Sequence, residues 1–141
     1  PPLAFLILET IYNTQITNNF KLDEFTCRDG SVVPDEYLTN VKRLCENLQI
    51  LREELGRPII VISGYRSPDY NTKIKGAKRS QHLFAKAADI VVPGMTSLEV
   101  RDTIIRLIKE GKMHKGGVGI YPTFTHYDVR GFNARWGSYK K

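Results

Sequence analysis

Three side chains of this sequence suit a metal ion: His82 and Asp89 in "SQHLFAKAADIVV", residues 80–92, and His126 in "FTHYDVR". Two imidazoles and one carboxylate match a catalytic zinc site, which keeps three protein ligands and leaves one position open. A structural site closes with four ligands, often cysteines. The setting of His82 and Asp89 is small and apolar, so the stretch also reads as an ordinary loop feeding a buried strand. His126 is different. The period of two along a strand puts Phe124, His126 and Asp128 on one face. Titratable groups there are costly to bury without a partner or a metal. The third histidine, His114, sits in "GKMHKGG", a charged, glycine-flanked loop, and reads as solvated. Spacing alone leaves two readings open: a zinc site, or unrelated core and surface histidines.

The elements that must hold these residues follow from pattern. Pro34 and Asp35 open a helix whose Leu38, Val41, Cys45, Leu48 and Leu55 recur at helical spacing, with Leu44 and Leu51 beside them; Gly56 and Pro58 stop it. "IIVIS", residues 59–63, is a β-branched run read as a buried strand. "GYRSPDYN" after it is turn-rich. "AKAADIVV" reads as a second strand ended by Pro93-Gly94. Thr96 and Glu99 form a capping box for a second helix, with Val100, Ile104, Leu107 and Ile108 on its apolar face and Gly111 at its end. "GGVGIY" and "FTHYDVRG" are two more strands around a Pro122 turn, and "ARW" closes the domain. The order helix, strand, strand, helix, strand, strand predicts a small single α+β domain with a mixed or antiparallel sheet flanked by helices. Residues 1–15 are expected to be an N-terminal extension and residues 16–141 the domain.

A chain of 141 residues makes one modest core. No segment has the ~18 uninterrupted apolar residues of a membrane span. The opening "PPLAFLIL" is short, lacks a basic start, and is not read as an intact signal peptide. The net charge of +6 is scattered rather than clustered, which suits a polyanionic partner. Nucleic acid and the anionic bacterial wall both qualify by charge; without a nucleic-acid-binding signature, nucleic acid drops behind. Cys27 and Cys45 lack the C-x-x-C spacing of a zinc or redox site. They read as a disulfide if the chain works outside the cytoplasm, or as two buried thiols.

"SGYRSPDYN", "SQHLFAKAADI" and "HYDVRG…ARW", in this order and spacing, resemble the zinc D-Ala-D-Ala carboxypeptidase family over about residues 16–138. That family includes VanX-type dipeptidases and phage L-Ala-D-Glu endolysins, and has the hedgehog/DD-peptidase-like fold. Its central motif, S-x-H-x-x-G-x-A-x-D, is met by Ser80, His82, Ala87 and Asp89, with Ala85 where the family has glycine. The resemblance implies that His82, Asp89 and His126 bind Zn2+. It implies that Arg66 stabilises the oxyanion of the substrate carbonyl and that Ser80 holds the loop or a ligand by a hydrogen bond. Tyr65 and Tyr70 read as packing. Many relatives carry Glu-x-x-His before the last ligand; here Thr123 stands in place of that glutamate. Asp128 is the nearest acid and is expected to serve as the base, or to pair with Arg130 or Arg66.

The function this implies is a monomeric zinc metallopeptidase that cuts peptidoglycan stem peptides at a bond involving a D-amino acid. Such a protein is expected in an extracytoplasmic setting: envelope, secreted or virion-borne. The rival is a zinc-containing wall-binding or structural domain without turnover. A basic nucleic-acid-binding protein is a more distant one.

Overall fold

Helix α1, Leu38–Leu55, buries Val41, Leu44, Cys45, Leu48 and Leu51 completely, the stripe expected of a helix with one face on a core. It ends at Gly56, whose φ of 62° supplies the left-handed cap, and a 3-10 turn at Asp35–Tyr37 leads into it. The computed structural model describes residues 14–138. Of the expected N-terminal extension, only Thr14 and Gln15 fall within that range.

The strands are β1 (Gln15–Thr17), β2 (Phe20–Lys21), β3 (Ile60–Ser63), β4 (Ala87–Val91), β5 (Gly117–Ile120), β6 (Thr125–Asp128) and β7 (Ala134–Gly137). β1 and β2 form a small antiparallel pair. The other five make one sheet in the order β3-β4-β6-β5-β7. Its pairs are antiparallel except β5 with β7, so the sheet is mixed, in an α+β domain. The short helix α2 (Pro68–Lys73) lies between β3 and β4 and is capped by Ser67. α3 (Ser97–Lys109) has the expected capping box: Thr96 Oγ1 accepts from Glu99 N at 3.1 Å and Glu99 Oε1 from Thr96 N at 2.9 Å.

Alternation along the strands gives the sheet two different faces. Ala88 and Ile90 of β4, Val118 of β5 and Tyr127 of β6 join the core with residues of α1 and α3. The residues between them, Asp89, His126, Asp128 and the β5 glycines, point the other way. Cys27 and Cys45 are both buried free thiols. No helix among the described residues is long and apolar enough to cross a membrane.

Candidate metal centre

One row across the sheet carries most of the site. Ser63 pairs with Asp89, Asp89 with His126, His126 with Gly119, and Gly119 with Trp136. Paired residues of neighbouring strands share a face, so sheet register alone brings Asp89 and His126 together.

His82 reaches the row from a 3-10 turn, Gln81–Phe84. Ser80 caps this turn by accepting from His82 N at 3.2 Å, the loop-holding role expected of it. The turn ends at Ala85 with φ 57° and ψ 31°. The left-handed conformation is thus retained although alanine replaces the usual glycine, at about 1 kcal/mol or more. Asn40 Nδ2 secures the same corner by donating to the Phe84 carbonyl at 2.9 Å.

Donor atoms of His82, Asp89 and His126 all lie within 4.8 Å of one another, and all three residues are buried. His82 Nδ1 donates to the Gly64 carbonyl at 2.7 Å, because a carbonyl can only accept. That fixes the tautomer and leaves Nε2 with a bare lone pair. Nε2 is buried, 3.3 Å from Asp89 Oδ1, without a hydrogen-bond partner among the described residues. A buried nitrogen lone pair aimed at a carboxylate is a costly arrangement by itself, and a cation between the two relieves it. Burial pushes the His82 pKa down, despite the nearby Asp89, and so favours the neutral, ligating ring.

His126 is held on both sides. Its Nδ1 is 3.1 Å from Asp89 Oδ1 and its Nε2 is 2.7 Å from Asp128 Oδ2. With Nε2–H donated to Asp128, Nδ1 is the atom left to bind a metal. Burial raises the Asp89 pKa, but the His126 and His82 rings that face it outweigh this and hold the group well below the usual carboxylate range. The donor set therefore fits a divalent metal: two imidazole nitrogens and an ionised carboxylate, each oriented by a second hydrogen bond.

Asp128 is enclosed and is not among the residues that line the cleft. It is 0 % exposed. Its Oδ1 accepts from Gly117 N at 2.9 Å and Arg130 Nε at 2.9 Å; its Oδ2 accepts from His126 and from Arg130 Nη2 at 2.8 Å. Burial pushes its pKa up, yet the His126 and Arg130 bonds prevail and hold it far below the ordinary range. The carboxylate sits behind the His126 ring. Arg66 is at the cleft, with Nη2 3.2 Å from Asp89 Oδ2, Nε 3.3 Å from Ser63 Oγ and Nη1 3.4 Å from Asn71 Oδ1. These contacts fix the guanidinium beside the donor set.

The cleft above the donors has a volume of about 550 Å³. Aromatic residues make one wall. Tyr121 and Phe124 stack at 4.4 Å, Trp136 Nε1 donates to Tyr121 Oη at 2.9 Å, and the Trp136 ring lies 4.9 Å from that of His126. Two glycines make this packing possible. A Cβ on Gly119 would sit 2.4 Å from Trp136 Nε1, and one on Gly117 would sit 2.3 Å from Asp128 Oδ2. Glycine inside a strand is a signal for such close approach, and "GGVGIY" carries it. No spacing in the sequence places these glycines, Trp136 or Tyr121 at the site. Tyr65 is buried in the core and Tyr70 packs against it. His114 lies in the α3–β5 loop, outside the site, where its backbone meets Asn47 and Tyr127.

Residues 18–128 match the sequence model of the family described as Peptidase M15. The chain is also 34% identical over 95 residues to the peptidoglycan L,D-endopeptidase MepK of Escherichia coli strain K12; the match covers 61% of this chain and 49% of that protein. MepK of Shigella flexneri matches with the same figures. The chain spans about half the length of these curated relatives.

Proposed function

The chain belongs to the peptidase M15 family, and from that premise we propose that it is a zinc metallopeptidase of the bacterial wall. Its substrate would be the peptidoglycan stem peptide, cut at a bond involving a D-amino acid, in an extracytoplasmic setting. The observation that carries this reading is the convergence of His82, Asp89 and His126 at the floor of a cleft that also presents Arg66. Similarity to a relative named as a peptidoglycan endopeptidase supports the substrate.

His82 Nε2, an Asp89 oxygen and His126 Nδ1 would hold the ion. A zinc ion there would act as a Lewis acid on the scissile carbonyl and lower the pKa of a coordinated water towards ~7. The chain's own residues do the rest. Arg66 stands beside Asp89, where its guanidinium can meet the oxygen of a peptide carbonyl as negative charge develops on it. Asp128 keeps the His126 ring in one orientation and tautomer, with Arg130 and Gly117 fixing the carboxylate in turn. This assigns Asp128 to positioning rather than proton transfer. The stacked aromatics and Trp136 shield one side of the cleft from water.

One observation favours the rival reading of a wall-binding domain without turnover. Among the described residues, Asp89, already committed to the donor set, is the only carboxylate lining the cleft. Hydrolysis of purified sacculi by the zinc-loaded protein, with released peptides identified by mass spectrometry, decides the matter. Release of stem-peptide fragments that stops on chelation supports the peptidase. Binding to sacculi with no release supports the rival.

A further inference from the structure

Among the described residues, the cleft walls hold three guanidinium groups, Arg66, Arg79 and Arg130, against one lining carboxylate, Asp89. Arg66 is paired with Asp89, and Arg130 with Asp128 behind the wall. Arg79 is exposed, and no carboxylate among the described residues pairs with it. A divalent ion on the three donors would make the cleft more positive still. Such a surface attracts an anionic ligand, and a guanidinium fork matches a carboxylate in particular.

The segment bearing Arg79 is built rather than loose. Asn71, 4% exposed, donates from Nδ2 to the Ala77 carbonyl at 2.9 Å, and its own carbonyl accepts from Gly76 N at 2.8 Å. Its Oδ1 occupies the space a Cβ on Gly76 would need, at 2.1 Å. The same oxygen accepts from Arg66 Nη1, so Asn71 ties the Arg79 wall to the arginine beside the donors.

We propose that Arg79 forms a carboxylate subsite, selecting acidic peptides that carry a free carboxylate close to the scissile bond. The subsite deepens the peptidase reading and rests on it for the word "scissile", but it can be tested apart from it. Two synthetic stem peptides are compared, one with all carboxylates free and one with all of them capped as carboxamides. The proteins are zinc-loaded wild type, Arg79→Gln, Arg79→Lys and Lys78→Gln. Lys78 is exposed on the same segment but does not line the cleft, so its variant controls for loss of charge alone.

Where the wild type cleaves, the acid-to-amide ratio of kcat/KM is read. Where it cleaves neither peptide, the same ratio is read as Kd by calorimetry; the peptidase reading has then failed while the subsite is still tested. The expected wild-type preference for the acid form is about tenfold or more, the scale of one charge-assisted hydrogen-bonded contact. Arg79→Gln should bring the ratio close to one, Arg79→Lys should keep part of it, and Lys78→Gln should leave it within about twofold. A wild-type ratio near one overturns the proposal. So does an unchanged ratio in Arg79→Gln, or an equal loss in Lys78→Gln.

Discussion

The two faces of the five-stranded sheet are made from alternate residues of the same strands, and they obey opposite rules. On one face Ile90, Val118 and Tyr127 are apolar or largely so, and close-packed against the helices. On the other, one position along, Asp89, Gly119 and His126 give two polar groups and a side chain of no size at all. The first face stabilises the fold by removing apolar area from water. The second buries charge, which is unfavourable unless every group is answered by a partner or an ion. Its order therefore depends on hydrogen bonds to named atoms: Gly64 O for His82, Asp128 for His126, Gly117 N and Arg130 for Asp128.

Neighbouring substitutions on β4 should separate the two rules most sharply. Ile90→Ala, on the packed face, should lower stability by about 2–5 kcal/mol in denaturant titration, while folded protein still takes up zinc. Asp89→Ala, one residue earlier, should abolish stem-peptide hydrolysis by ~10²-fold or more, with zinc uptake lost. If Ile90→Ala loses zinc stoichiometry while still folded, the faces are not independent.

Asp128→Asn comes next in size. As the group that orients His126, its loss should weaken zinc affinity by about 10–100-fold, measured by competition with a chromophoric chelator. A variant that keeps wild-type zinc affinity but loses activity would restore Asp128 as the base. Gly119→Ala should push Trp136 off His126, costing about 1–3 kcal/mol in thermal or denaturant unfolding and lowering kcat/KM. Unchanged Trp fluorescence and unchanged stability would show that the strand yields instead. The smallest effect belongs to Ala85→Gly. Relief of the left-handed alanine should raise stability by up to ~1 kcal/mol, partly offset by a looser unfolded chain. A stability loss would mean that the buried methyl matters more than the strain.

Much of the packed face was legible from sequence, because apolar period is what that face is made of. Val41 to Leu51 of α1 and Val100 to Ile108 of α3 are buried as their spacing predicts. His126 and Asp128 share a face for the same reason. Other features were hidden because they depend on register between strands far apart in the chain. No local pattern says that Gly119 stands between His126 and Trp136, so neither the glycine nor the tryptophan could be given a role. β7 itself was visible only as "ARW". The position of Asp128 behind His126 was likewise invisible: a residue two places after a ligand shares its face, but which of its neighbours it bonds is decided by Gly117 and Arg130. Short segments such as β1, β2 and α2 carry too few residues to show a period.

The central claim is that His82, Asp89 and His126 together hold one zinc ion. Elemental analysis of the purified wild type and of His126→Ala, with folding checked by circular dichroism, tests it most directly. One zinc per wild-type chain and no more than a trace in the folded variant is the expected result. Full zinc retention by His126→Ala at wild-type affinity would contradict the account.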